Sequence, residues 1–235
     1  FTSGSVGVSF TGTKDQSIRD EGSDAGNGVV FKNVTFSGAS IKTLGGSGKF
    51  AVAANGFVTM AANTTLMTSN KLTLKADPNS ATSVLAIPST AAIKGQVTVE
   101  RYIQGGSKNM WRTYRMFSSP VYDNTTNFIN TDVVGNRTYS FNQFIDDMSI
   151  TGPGGSINGF DQTSSNQAGA WTYNNKYVEI PNINTSVNIG RGAYLFYRGN
   201  KSNLTGKVTS PFLDPESIVM TYKGVLNQQN VTVPL

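Results

Sequence analysis

The sequence contains no cysteine and no histidine. Without thiols and imidazoles it cannot form disulfides, zinc sites of the usual Cys/His type, or catalytic arrangements built on histidine. Charged residues are also scarce, at 14% of the 235 positions. No apolar run reaches the roughly 20 residues that a transmembrane helix requires. Any enzyme chemistry would have to use carboxylate, lysine or tyrosine side chains, and we expect no cofactor.

Basic residues outnumber acidic ones, which gives a net charge of +5, but they never occur three in a row. The tightest group comprises Arg101, Lys108, Arg112 and Arg115. Proteins that bind nucleic acids concentrate positive charge on one face or on a recognisable module. We therefore expect a mildly basic surface and no nucleic-acid partner.

Short β-type runs fill the first part of the chain, up to about residue 95. They are four or five residues long and recur every ~8 to 12 residues, separated by Gly, Asn and Ser. This spacing fits either a parallel β-helix or a compact antiparallel sandwich. We favour the β-helix, because Asn55-Gly56 is the only two-residue hairpin signal, and it can equally serve as a corner. Residues 1–95 are thus predicted to be a β-repeat spacer.

Longer strands and more aromatic residues characterise residues 96–235. Residues 171–180 read as a hairpin whose Asn174-Asn175 pair suits a type I′ turn. Further strands are predicted at 190–199, 217–222 and 230–233. A jelly-roll-type β-sandwich would bury them, so the predicted fold class is all-β, with a β-repeat followed by a sandwich.

An acidic residue and several arginines lie inside two strand-like runs, 97–103 and 111–117. The sequence predicts that these runs pair as an antiparallel hairpin. Glu100 would then form a structural ion pair with Arg101, Arg112 or Arg115 across the strands, which would fix their register.

The same region resembles a block found in large secreted cell-surface proteins of Bacteroidetes, of the kind exported by type IX secretion. The residues concerned read V-T-V-E-R-Y-I at 97–103, W-R at 111–112 and S-S-P-V at 118–121. G-A-Y-L-F-Y-R-G at 192–199 also resembles a later phrase of that family, which commonly has Gly where this chain has Ala193. The resemblance implies an extracellular, structural or adhesive segment. Its expected partners are neighbouring domains or copies of the same protein. It names no reaction.

Several aromatic residues of the second part could form a solvent-facing platform for glycans. Trp171, Tyr173 and Tyr177 are the candidate glycan contacts. An alternating aromatic stripe is more often part of a core, and we expect that outcome here; the set is completed by Trp111, Tyr194 and Tyr197.

Acidic residues offer two further candidate sites. Asp146, Asp147 and Asp161 flank a glycine-rich loop and are weak calcium candidates, as is the acidic loop 20–27. The complete calcium-loop pattern is absent, so capping of turns is the favoured role and no metal is expected.

A glycosidase would need two carboxylates about 5 to 9.5 Å apart. Glu100, Glu179 and Glu216 lie on or beside predicted strands, but sequence spacing cannot pair them.

Together these features predict a non-enzymatic extracellular surface segment with a structural or adhesive role. A carbohydrate-binding module is the first alternative, and a carboxylate-dependent glycoside-processing enzyme is the second. The chain starts at Phe1 and ends in the strand-like stretch 231–235, so we expect a sandwich truncated at its C-terminal end that joins a larger assembly.

Overall fold

The computed structural model describes residues 7–22, 28–107, 111–125, 128 and 135–231. The strands are β1 (Val8–Phe10), β2 (Gln16–Asp20), β3 (Val29–Phe36), β4 (Ile41–Gly46), β5 (Phe50–Met60), β6 (Thr65–Met67), β7 (Leu72–Leu74), β8 (Ser83–Val84), β9 (Ala92–Lys94), β10 (Gln96–Ile103), β11 (Tyr114–Phe117), β12 (Val121–Tyr122), β13 (Thr138–Tyr139), β14 (Ala170–Tyr173), β15 (Tyr177–Glu179), β16 (Val187–Asn188), β17 (Ala193–Phe196) and β18 (Ile218–Leu226). The helical segments are two 3₁₀ turns, Phe141–Gln143 and Gly155–Asn158, and the short α-helix α1, Leu204–Val208. Within these ranges, no helix is long and apolar enough to cross a membrane.

The first part of the chain is a parallel β-solenoid of about three turns. Strands β1, β3, β5, β7 and β10 form one parallel stack, and β2, β4, β6 and β9 form the other. Apart from β8, which pairs with β5 in the same sheet as β7, successive strands alternate between the two sheets. One coil takes 22 residues at the pair Phe50↔Leu72 and 27 at the pair Thr65↔Ala92. The predicted β-helix is confirmed, and the antiparallel alternative for this part is wrong.

In-register columns of apolar side chains hold the coils together. Phe31 pairs with Val52, Val52 with Leu74, and Leu74 with Val99. All four are buried, and each such side chain contributes about 1.5–3 kcal/mol when removed from water. The recurring apolar residues of the sequence therefore become one continuous core.

The chain turns between the sheets without the hairpin dipeptides that antiparallel strands use. Gly46 has a φ of +87°, and a β-carbon there would lie 2.1 Å from the Asp20 carbonyl oxygen. Asn55-Gly56 is neither a hairpin turn nor a corner. It lies inside β5, beside a register shift in the β3–β5 pairing.

Strand β10 belongs to both parts of the molecule. Its Val97–Val99 stretch pairs in parallel with β7, while its full length pairs antiparallel with β18. Both edges of β10 are therefore occupied. The predicted hairpin between 97–103 and 111–117 is wrong, because β11 pairs with β17 in another sheet.

The second part consists of antiparallel sheets, as predicted for residues after 95. One has the order β11-β17-β14-β15, a pair joins β13 and β16, and β12 extends the long solenoid sheet through β18. Phe144 connects two of these layers, since its ring centroid lies 6.4 Å from that of Phe117 and 4.9 Å from that of Tyr222. One hydrophobic core thus runs through both parts.

The predicted hairpin at 171–180 is confirmed as β14 and β15. Its connection has three residues, and only Asn175 of the Asn174-Asn175 pair has a positive φ, so the turn is not type I′. The predicted strand at 217–222 is the first part of β18, and that at 190–199 contains β17. Of the last predicted strand, 230–233, residues 232–233 lie outside the described residues, and residues 230–231 are not part of a strand.

Candidate ligand-binding surface

One face of the β11-β17-β14-β15 sheet is covered with aromatic side chains. Alternation along each strand and the observed register place these residues on the same side, because Tyr114 pairs with Phe196, Trp171 with Tyr194, and Tyr173 with Tyr177. We call this surface the aromatic face; it consists of Tyr114, Trp171, Tyr173, Tyr177, Tyr194 and Phe196.

The opposite side of the same strands packs into the core. Ala193, Leu195 and Tyr197 are fully buried, and Phe117 of β11 lies with them. The sequence of β17 alternates small or aliphatic inward residues with aromatic outward ones. The aromatic face is therefore carried by a sheet whose backbone is held by core packing.

The aromatic face is open to solvent. The Tyr173 and Tyr177 side chains are 56% and 60% exposed, whereas Trp171 and Tyr194 are half-buried by their neighbours. The expectation that this stripe belongs to the core is wrong for Tyr173 and Tyr177 and right for Tyr197, which is buried. Trp111 is half-buried and packs beside Gly106, where a β-carbon would lie 2.6 Å from Trp111 Cδ1.

Edge-to-face contacts fix the rings relative to one another. The centroid of Tyr114 lies 5.1 Å from Trp171, and that of Tyr177 lies 5.3 Å from Tyr194 and 5.5 Å from Tyr173. Such pairs contribute about 0.5–1.5 kcal/mol beyond their buried area. A hydrogen bond with Tyr194 raises the pKa of Tyr177 above its ordinary value.

A shallow cavity of about 370 Å³ opens in the middle of the aromatic face. Its lining consists of Tyr114, Trp171, Tyr177 and Tyr194. Sequence reasoning identified Trp171, Tyr173 and Tyr177 as candidate contacts but did not include Tyr114 and Phe196. Their alternation with buried neighbours in β11 and β17 was the signal that could have found them.

Two of the three calcium candidates, Asp147 and Asp161, are engaged by protein donors. Asp147 accepts hydrogen bonds from the Thr221 amide at 2.6 Å and the Thr221 hydroxyl at 2.7 Å. Asp161 accepts one from the Ile150 amide at 2.7 Å and pairs with Lys201, while Asp146 is exposed. Over the part of the chain that the structure describes, no three acidic side chains are placed to share a metal ion. Residues 23–27 of the other acidic loop lie outside it.

Glu100 is paired, but not with an arginine. Its Oε1 lies 3.6 Å from Lys75 Nζ, and its Oε2 accepts a hydrogen bond from the Ala76 amide at 3.1 Å. The predicted ion pair with Arg101, Arg112 or Arg115 is therefore wrong. The error follows from the strand order, because the solenoid places the end of β7 beside β10.

Arg101 lies beside Glu100 on β10, and its Nη1 donates to the backbone oxygen of Glu100 rather than to its carboxylate. Arg112 and Arg115 lie outside this sheet. Arg115 donates to the backbone oxygens of Gln104 and Trp111. Arg112 donates to the Lys207 carbonyl oxygen at 3.1 Å.

The other two candidate glycosidase carboxylates lie on separate elements. Glu216 precedes β18 and forms an ion pair with the buried Lys207, with Oε2 2.7 Å from Nζ. Glu179 is exposed at the end of β15, on the side of the sheet that carries Trp171. With Glu100 paired to Lys75, the arrangement gives no carboxylate pair to the aromatic face.

Comparisons with protein-family models, with curated protein sequences and with solved structures give no match.

Proposed function

We propose that this chain is a non-enzymatic, extracellular adhesive segment that binds glycans on the aromatic face. The observation that carries the proposal is the set of outward aromatic side chains on one sheet, with a cavity of about 370 Å³ among them. An adhesive segment that binds glycans combines the structural or adhesive role expected from the sequence with the carbohydrate-binding alternative.

The chemistry of the aromatic face suits sugars. The C–H groups of a sugar ring pack against flat aromatic surfaces, and tyrosine hydroxyls provide hydrogen bonds at the rim. Binding sites generally combine apolar and aromatic walls with a few polar groups. Because core packing and ring contacts already hold the face in place, little conformational freedom is lost when a ligand binds.

Two features favour binding over catalysis. Glu100 and Glu216 are each paired with a lysine away from the aromatic face, and Glu179 is a single exposed carboxylate beside it. Glycoside hydrolysis in its usual form needs two carboxylates flanking one bond. We therefore propose no catalytic residues.

The solenoid would serve as a spacer that presents the aromatic face outside the cell. The proposed structural partners are neighbouring domains or copies of the same protein. Strand β1 pairs with β3 alone among the described strands, so its other edge offers a place for such a partner. The opposite end of the solenoid is covered by β18 of the same chain.

Glycan-array binding tests the proposal, with the wild-type chain compared with Trp171→Ala. We expect selective binding to a subset of glycans and loss of at least ~90% of that signal in the variant, since aromatic anchors dominate binding energies. Phe57→Ala is the matched control, because Phe57 is 46% exposed on the solenoid, away from the aromatic face. Equal signals from all three proteins would refute the proposal.

A further inference from the structure

A second cavity, of about 300 Å³, adjoins the aromatic face and has a different lining. Tyr114 borders both cavities, and Phe196 of the aromatic face lines the second one. The second cavity is lined by Arg112, Arg198 and Thr151, with Phe196 and Phe212 as its aromatic walls. We call it the arginine cavity.

Aromatic rings hold the two guanidinium groups of the arginine cavity in place. Arg112 Cζ lies 3.9 Å from the centroid of Phe212 and 4.9 Å from that of Phe196. Arg198 Cζ lies 4.6 Å from the centroid of Phe196. Two cations thus gather around one ring, although like charges repel.

Within the described residues, no acidic side chain lies at ion-pair distance from these two cations. Neither Arg112 nor Arg198 forms an ion pair with an acidic residue in the described ranges. Asp161 is close enough to influence Arg198, but its oxygens are already used by the Ile150 amide and by Lys201. Burial, together with the charge of Arg112, lowers the pKa of Arg198 to about 10. Arg198 is thus still a cation at neutral pH. A negative charge nearby would offset the cost of its burial and its repulsion from Arg112.

Three polar atoms of the arginine cavity have no hydrogen-bond partner. They are the Nε of Arg112, the Nε of Arg198 and the Oγ1 of Thr151, all of them inaccessible to solvent. Thr151 is only 2% exposed. A β-carbon on Gly169 would lie 2.7 Å from the Thr151 carbonyl oxygen, 3.0 Å from Thr151 Oγ1 and 3.2 Å from Arg198 Nη1, so Thr151 and Arg198 pack closely around Gly169. Buried donors without partners destabilise the fold, and an acceptor that reached them would remove this cost.

We infer that the arginine cavity binds an oxyanion, and that the ligand of the aromatic face is therefore an acidic glycan carrying carboxylate or sulfate groups. Guanidinium groups match both oxyanions through paired N–H donors, and the Thr151 hydroxyl supplies a third donor. The assignment of a glycan rests on the proposed function above. The assignment of an oxyanion rests only on the arginine cavity itself.

The anion is tested by following the Nε–H resonances of Arg112 and Arg198 by NMR while small probes are added. Their assignment comes from Arg112→Gln and Arg198→Gln, each of which removes one resonance. We expect saturable shifts with sodium glucuronate and none with its neutral methyl ester. A parallel titration with sodium sulfate separates the two sources: response to glucuronate alone indicates a carboxylate, and response to sulfate alone indicates a sulfate ester. No saturable shift with either anion would overturn the inference.

Thr151→Val distinguishes a binding role from a purely structural one. The variant keeps the side-chain shape and removes a hydroxyl that has no partner, so we expect the free energy of unfolding to be unchanged or slightly raised. Affinity for the anion that binds should fall at least tenfold, because one hydrogen bond to a charged group is lost. Unchanged affinity would remove Thr151 from the site and contradict the proposed geometry.

An array of neutral, uronate-containing and sulfated glycans tests the ligand class. We expect wild-type binding to concentrate on acidic members and to fall at least tenfold in Arg198→Gln, with circular dichroism confirming that the variant is folded. Binding restricted to neutral glycans would overturn the acidic-glycan assignment and leave the aromatic face intact as a glycan site. Saturable anion binding without any array signal would refute the glycan function but not the anion site.

Discussion

Lys207 is a buried lysine whose positive charge is compensated by neighbouring groups. It is 1% exposed, yet its ammonium group is compensated by Glu216 at 2.7 Å and by two oxygens of Asn200 at 2.8 Å each. Burial raises the pKa of Glu216, but the hydrogen bond and charge of Lys207 outweigh it, so the net pKa lies below its ordinary value. Breaking this pair would leave a buried cation with less compensation.

Glu216→Gln should lower the free energy of unfolding by about 1–2 kcal/mol at pH 7, less than a fully buried pair would cost because Glu216 is partly exposed. Since the folded-state pKa is depressed, this contribution exists above the ordinary pKa and is lost as pH falls through the folded value. Urea unfolding of both proteins at pH 7 and pH 3 measures the difference, which should shrink at pH 3.

Glu179→Gln is the control for this experiment, because Glu179 is exposed and has no ion pair among the described residues. Its effect should stay within about 0.5 kcal/mol at both pH values. A Glu216→Gln difference that stays constant with pH would contradict the charge-based explanation.

Individual residues also show how much of the candidate site could be predicted from the sequence. Alternation correctly groups Trp171, Tyr173 and Tyr177 on one side of a hairpin. It cannot say which side is covered, because that depends on Phe144 and other distant residues packing beneath the sheet. The partner of Glu100 was predicted wrongly for a similar reason. Only the solenoid brings Lys75 alongside Glu100.

At the scale of elements, the junction between solenoid and antiparallel sheets depends on β18 and the residues that follow it. β18 covers the last rung of one solenoid sheet, and Gln228 covers the other. The Gln228 side chain accepts a hydrogen bond from the Ile93 amide at 2.9 Å and donates one to the Ile93 carbonyl oxygen at 2.6 Å. A side chain therefore replaces the strand that would continue β9.

Gln228→Ala should destabilise the protein by about 1–3 kcal/mol, because it leaves the peptide groups of Ile93 unpaired in a buried position. Urea unfolding followed by circular dichroism measures the loss. Gln104→Ala removes an exposed glutamine that follows β10 and should change stability by less than ~0.5 kcal/mol. Equal effects of the two substitutions would mean that Gln228 does not cap β9.

The elements themselves were well predicted where the pattern is local. Short runs without hairpin dipeptides indicated the coils, and β14–β15 followed from its own turn. The pairing of β10 was missed because its partners, β7 and β18, are remote in sequence, whereas adjacency alone suggested β11. Pairing between distant strands is set by core packing, which short-range patterns do not encode.

The whole molecule shares one sheet and one hydrophobic core across the predicted boundary at residues 95–96. We therefore expect the solenoid and the antiparallel part to unfold in one transition. Tryptophan fluorescence reports on the second part alone, which contains both Trp111 and Trp171, while far-ultraviolet circular dichroism reports on all strands. The two urea curves should coincide, and a separate circular-dichroism transition would show that the solenoid unfolds independently.

Metal ions should not contribute to the stability of the molecule. The chain has no cysteine or histidine, and Asp147 and Asp161 are occupied by protein donors. Melting temperatures measured with and without EDTA should agree within ~2 °C. A decrease of ~10 °C on chelation would indicate a structural metal ion, with the acidic loop 20–27 as the first place to examine.

The central claim is that the aromatic face binds glycans, and calorimetric titration of Tyr177→Ala tests it most directly. The titrant is the glycan that gives the strongest array signal, and wild type and Phe57→Ala are measured alongside. We predict at least a tenfold rise in Kd for Tyr177→Ala, which corresponds to about 1.4 kcal/mol, and less than a twofold change for Phe57→Ala. Wild-type protein that binds no glycan at about 1 mM, or a Tyr177→Ala variant that binds as tightly as wild type, would contradict the account.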